Sequence, residues 1–138
     1  MKIQLFCLLT ILSAIFIRCS QPSESIPNGV YQYTSYDTVG TALVTGWFAI
    51  RTSDSSRISG EWHFSPIGSP RNCGPQIGNG SFVGRLDSNQ MFIELNPQYI
   101  DNNLGLMGTV QGNCYSGTWT WISFIGVTNR GNFEATKK

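Results

Sequence analysis

Arg57-Ile58-Ser59-Gly60-Glu61-Trp62-His63-Phe64 reads with a period of two. Ile58, Trp62 and Phe64 fall on one side together with Gly60, while Arg57, Ser59, Glu61 and His63 fall on the other. Successive Cβ atoms of an extended chain point to opposite faces, so this spacing predicts a strand with one dry and one wet face. Ser81–Leu86 repeats the pattern, with Phe82, Gly84 and Leu86 set against Ser81 and Arg85. In Leu104–Val110 the apolar set is Leu104, Leu106 and Val110, again with a glycine, Gly108. One buried and one solvated face per strand is the antiparallel pattern.

Working outward from these stretches, short β-branched and aromatic runs alternate with clusters of Gly, Asn, Asp and Ser. That is the punctuation of hairpins. Eight strands are expected, at Val30–Tyr36, Leu43–Thr52, Arg57–Phe64, Ser81–Leu86, Met91–Asn96, Leu104–Val110, Tyr115–Phe124 and Asn132–Thr136. No segment after residue 27 sustains a helical period. A weak internal repeat runs through the series. Ile58-Ser59-Gly60-Glu61-Trp62 recurs as Tyr115-Ser116-Gly117-Thr118-Trp119, and each copy is followed by a Gly-x-Phe strand start, Gly80-Ser81-Phe82 and Gly131-Asn132-Phe133. The repeat reads as a duplicated hairpin in which glycine makes room for a neighbouring ring. Period two places Trp62 with Gly60, and Trp119 with Gly117, on one inward face.

The expected fold is therefore all-β, an eight-stranded antiparallel meander closing into a small barrel, with a β-sandwich as the alternative. In architecture it resembles the up-and-down barrels of the lipocalin and avidin type. The resemblance stops at architecture: Gly46-Trp47 lies in the second strand rather than at a lipocalin-like opening, and no avidin-like ligand set is found.

The N-terminus points to export. Met1-Lys2 is followed by an apolar run, Ile3 to Ile17, with the length of a secretory core and too short for a comfortable bilayer span. Cys19 ends the run, and Ser20-Gln21-Pro22-Ser23-Glu24-Ser25 reads as a polar tether. The segment resembles a bacterial lipoprotein signal, although Phe16-Ile17-Arg18 departs from the usual small residues before the cysteine. The resemblance implies cleavage before Cys19, its lipidation, and a membrane-anchored protein of the cell envelope. An ordinary cleaved signal and a secreted, soluble domain is the alternative. The expected organisation is a signal over residues 1–18, lipidated Cys19 and tether over 19–27, and one barrel domain over 28–138. Cys7 is lost with the signal, leaving Cys73 and Cys114 as an even pair in an oxidising compartment, so a disulfide between them is expected.

Composition excludes several classes of function. The 138-residue chain is 12% charged with a formal net charge of +1, and its mature Lys and Arg residues are scattered. No cationic cluster exists to neutralise a nucleic-acid backbone. The single histidine, His63, shares a strand face with Ser59 and Glu61. A triad draws its members from different elements so that they converge, so three residues along one strand read as a solvated surface and no catalytic residue is expected. The acids form no ligand grouping, and Asp101-Asn102-Asn103 reads as a turn, so neither a metal nor another cofactor is expected.

The aromatic residues carry the remaining ambiguity. Trp62, Trp119, Trp121, Tyr115 and Tyr33 either line a cup for a small apolar ligand or fill the barrel. Trp47 falls out of phase with Val44, Phe48 and Ile50, alongside Arg51, and is a candidate anchor for a protein partner. The expected function is a non-enzymatic binding module for a small apolar ligand or a protein partner. A hydrolase inhibitor acting through the proline-rich loop 65–79 is the second reading.

Overall fold

The computed structural model describes residues 27–52 and 54–138. The signal, Cys19 and most of the tether lie outside these residues. The described chain forms eight strands: β1 (Gly29–Tyr36), β2 (Ala42–Thr52), β3 (Arg57–Pro66), β4 (Gly78–Asp87), β5 (Gln90–Glu94), β6 (Asn103–Gln111), β7 (Cys114–Ser123) and β8 (Gly126–Lys137). Each pairs antiparallel with the next, and β8 pairs with β1, so the sheet closes into a barrel without an edge. Closure satisfies the strand backbone that an open sheet leaves bare.

The period-two reading locates the core. Ile58, Trp62 and Phe64 are buried, as are Phe82, Leu104 and Leu106 on their own strands. On β2, Val44, Phe48 and Ile50 point inward and Trp47 stands outside, 38% exposed. The rings fill the interior by stacking on one another. Tyr33 lies 4.2 Å from Phe64 and Tyr31 5.1 Å from Phe48, both stacked. Tyr115 meets Phe133 edge-on at 4.7 Å. Among the described residues the buried polar side chains are Ser35, Gln76 and Asn103, and none is charged.

The repeat is a repeat of geometry. In β3–β4, Trp62 lies opposite Gly80 and Gly60 opposite Phe82. In β7–β8, Trp119 lies opposite Gly131 and Gly117 opposite Phe133. The indole donors follow the same rule. Trp62 Nε1 donates to the carbonyl of Leu95, just beyond β5, at 2.9 Å. Trp119 Nε1 donates to the carbonyl of Tyr36, the end of β1, at 2.8 Å. Each acceptor is two strands further round the barrel, so a rotation by four strands carries one tryptophan site onto the other. Gly131 is required by this packing: a Cβ there would collide with the Tyr36 carbonyl and come within 2.6 Å of the Trp119 indole nitrogen.

Two expectations need correction. Asn132 was the expected start of the last strand, but β8 begins at Gly126, directly after a tight turn at Phe124-Ile125. Gly126, Asn129 and Gly131 read as a loop by composition, yet pairing with β7 overrides that local preference. The Cys73–Cys114 disulfide is absent, and both thiols are free. In a meander, connections alternate between ends. Cys73 sits in the β3–β4 loop at one end, while Cys114 follows the β6–β7 turn at the other. Roughly a strand's length, ~25–30 Å, separates the two ends, whereas a disulfide needs Cα atoms within ~7 Å. The β3–β4 loop folds across the mouth of the barrel, where it meets Tyr33, Asn96 and Asn129.

Candidate functional site

The two ends of the barrel differ in chemistry. One end carries the β2–β3, β4–β5 and β6–β7 turns. Its described tips are Asp54-Ser55-Ser56, Ser88-Asn89 and Gly112-Asn113, all polar or glycine. Asp54 organises the first, accepting from the amides of Ser56 and Arg57 at 2.9 and 2.7 Å, and these bonds hold its carboxyl below the usual carboxylate range. The described chain enters β1 and leaves β8 at this same end.

The opposite end carries the other four connections, and each presents apolar side chains to solvent. They are Val39 after β1, Ile67 and Ile77 after β3, Tyr99 and Ile100 after β5, and Phe124 and Ile125 after β7. Ile100, Phe124 and Ile125 are 86%, 84% and 89% exposed. Isolated exposed apolar residues are ordinary, whereas here seven of them gather on the loops of one end.

Beside these tips lies an open groove of about 340 Å³, lined by Asn72, Cys73, Gly74, Pro75, Asn102 and Trp121. The groove forms because the β3–β4 loop lies against the end of β7. Gly74 adopts a positive φ of 66° and approaches the Trp121 ring so closely that a Cβ would come within 2.9 Å of it. Trp121 Nε1 donates to Asn102 Oδ1 at 3.0 Å, which fixes the indole as one wall. Asn129 donates to the Asn72 carbonyl and Asn96 to the Pro75 carbonyl, the latter at 3.1 Å. Burial pushes the Cys73 thiol above its ordinary pKa, which disfavours the thiolate.

The five aromatic residues singled out as ligand candidates do not share one site. Trp62, Trp119, Tyr115 and Tyr33 are buried in the core. Their polar atoms are taken by the protein itself: the two indoles as above, and the Tyr115 hydroxyl by the carbonyls of Met91 and Leu106 at 3.1 and 3.0 Å. The Tyr33 hydroxyl donates to Gln76 Oε1 at 3.0 Å. Burial raises the pKa of both phenols, so they stay neutral. Only Trp121 reaches the groove.

Trp47 is outward but far from the loop tips in character. It stacks on His63 at 6.2 Å, while Arg51 reaches Glu61 at 3.9 Å. These cross-strand pairs absorb the side chains of the Ser59, Glu61 and His63 face, which converge on no common point. Asn103 Oδ1 accepts from the amides of Asn96 and Leu104, as a turn residue does. Among the described residues no group of acids, histidine and cysteines is placed to hold a metal ion. Gln76 and the Tyr99-Ile100 and Phe124-Ile125 tips were not anticipated. An apolar pair set between turn formers was the available signal for the tips, whereas nothing in the sequence marks Gln76.

No protein-family model matches the chain, and no curated protein is similar to it.

Proposed function

We propose that this chain is a non-enzymatic lipoprotein of the cell envelope, whose barrel is a binding module held by lipidated Cys19 and presenting its apolar loop end to a protein partner. The observation that carries the reading is that the exposed apolar residues of the loops all lie at the end opposite the N-terminal strand entrance, while the turns of the other end carry none among the described residues. The tether supports a protein rather than a bilayer as occupant. Eight residues from Cys19 to Pro27 reach ~26–29 Å when fully stretched, about the height of the barrel. The loop end could touch the anchoring membrane only with the tether pulled taut along the wall. A relaxed tether leaves that end facing away from the bilayer, where Phe124, Ile125 and Ile100 would be buried by a partner. The inhibitor reading draws less support, because the second half of the β3–β4 loop is tied down to the barrel end through Gln76 and the Pro75 carbonyl.

The test uses the full chain in bacterial membranes. A photo-crosslinking residue at Ile125 should give a discrete protein adduct, and the same residue at Ser88, on the polar end, should give none. Phe124→Asp or Ile100→Asp should remove the adduct, and Cys19→Ala should release the protein from the membrane fraction. Equal crosslinking from both ends, or adducts to lipid alone from Ile125, would refute the partner. Continued membrane association of Cys19→Ala would refute the anchor.

A further inference from the structure

The groove beside Trp121 is held in shape by contacts between three segments. Trp121 comes from β7, Asn102 from the β5–β6 connection, and Asn72, Gly74 and Pro75 from the β3–β4 loop. The indole is fixed at both ends. Gly74 packs on its base, where the atoms nearest an added Cβ would be Trp121 Cγ, Cβ and Cδ2, and Nε1 donates to Asn102 Oδ1 at 3.0 Å. The backbone carbonyls of Asn72 and Pro75 accept from Asn129 and Asn96. Trp121 nevertheless stays half-buried, whereas Trp62 and Trp119 on the inward face are buried.

The polar groups that these contacts leave over are carboxamide atoms. The indole uses one atom of Asn102, its Oδ1, and Asn129 uses the backbone of Asn72 rather than its side chain. Both asparagines are exposed, so the Asn72 carboxamide and Asn102 Nδ2 are open to a ligand. None of the six lining residues is charged. Arg71 and Asp101, next to the two asparagines in the chain, are exposed and opposite in sign, so neither sign prevails at the rim. An ion entering the groove would lose water and gain no charged partner. The volume of about 340 Å³ is at the small end of ligand sites, and the groove is open to solvent.

We propose that this groove binds a neutral saccharide through an N-acetylated sugar unit. The C–H groups of the sugar ring lie against Pro75 and the uncovered part of the Trp121 indole, whose π-system attracts polarised C–H bonds. The acetamido group carries one N–H and one carbonyl, the same pair as a carboxamide, so it exchanges hydrogen bonds with Asn72 and Asn102. The remaining hydroxyls keep their water, which an open groove permits. The proposal rests on the groove alone and stands whether or not the apolar tips meet a protein.

Triacetylchitotriose is the probe, titrated into the isotope-labelled full chain in detergent. It should give saturable shifts at the Gly74 and Asn102 amides and at the Trp121 indole N–H. Cellotriose, the same kind of β-linked chain without acetamido groups, should bind about tenfold more weakly. Trp121→Ala should weaken binding of triacetylchitotriose by about tenfold or more. Asn102→Asp keeps an acceptor for the indole but removes the amide donor, and should weaken it several-fold. Trp47→Ala, on the barrel wall, should leave it unchanged. The proposal is overturned if triacetylchitotriose gives no saturable shifts, if cellotriose binds as well, or if Trp47→Ala weakens binding as much as Trp121→Ala. Should Trp121→Ala fail to fold, Asn102→Asp decides, since its side chain is exposed: unchanged binding by that variant overturns the proposal.

Discussion

The β3–β4 and β7–β8 hairpins have the same cross-strand register, the same tryptophan facing the same glycine and the same indole bond to a carbonyl two strands away. They part company at their turns. One spends residues 67–77 on a loop that buries Gln76, and the other turns at Phe124-Ile125 and leaves both side chains in solvent. Strand register is set by packing against the common core, and the two hairpins share the sequence pattern that packs there. Turns are free of that constraint so long as they reconnect the strands. What is shared between the hairpins is thus structural, and what differs between them is where specific function has room to reside.

The largest effects should fall on the shared part. Trp62→Ala and Trp119→Ala each remove a buried indole and its hydrogen bond, and each should cost ~3–5 kcal/mol, a large share of a small domain's stability. Equivalence of the two sites predicts that the losses agree within about 1 kcal/mol. Equilibrium unfolding in urea measures both. A loss below ~1 kcal/mol for either would mean that its ring is not a core element.

The glycines opposite the two rings sharpen the comparison. A methyl group at Gly131 would strike the Tyr36 carbonyl and crowd the Trp119 indole. At Gly80 the nearest atom is the Trp62 indole nitrogen at 3.1 Å, with no backbone in the way. Gly131→Ala should therefore cost ~1–3 kcal/mol, and Gly80→Ala under ~1 kcal/mol, since backbone gives way less easily than a ring. Reversal of that order in the same unfolding assay would show that the hairpins are packed less alike than their register.

The fold was legible because its signal is periodic. Ile58, Trp62 and Phe64 alternate with polar neighbours, and repeated alternation around a closed sheet leaves few alternatives once turns are marked by Gly, Asn and Asp. The inward placement of Trp62 and Trp119 follows from that period alone. Gly126–Gly131 misled because its residues disfavour strands in isolation, and only the partner strand β7 holds them extended. The disulfide misled because parity of cysteines carries no distance, whereas the meander puts the two on opposite ends. Most of the candidate site was illegible for a related reason. Gln76 meets Tyr33 across 43 positions of sequence, through a loop with no periodicity to read. Trp121 was singled out as an aromatic residue, but its role as a groove wall depends on Gly74 arriving from a distant loop.

The smallest effects should separate the two turns. Gln76→Ala leaves the buried Tyr33 hydroxyl without its acceptor, which should cost ~1–3 kcal/mol, the penalty for an unsatisfied buried group. The matching change in the other hairpin, Phe124→Ser with Ile125→Ser, removes more apolar surface but from side chains that nothing covers. Surface already in contact with water is not transferred on folding, so its loss should alter stability by no more than ~0.5 kcal/mol. The urea midpoint of the double variant should therefore match that of the wild type, while crosslinking from the loop end disappears. A destabilisation above ~1 kcal/mol would show that the two side chains pack against the barrel in solution. The apolar end would then be part of the domain's own core rather than a surface kept for a partner.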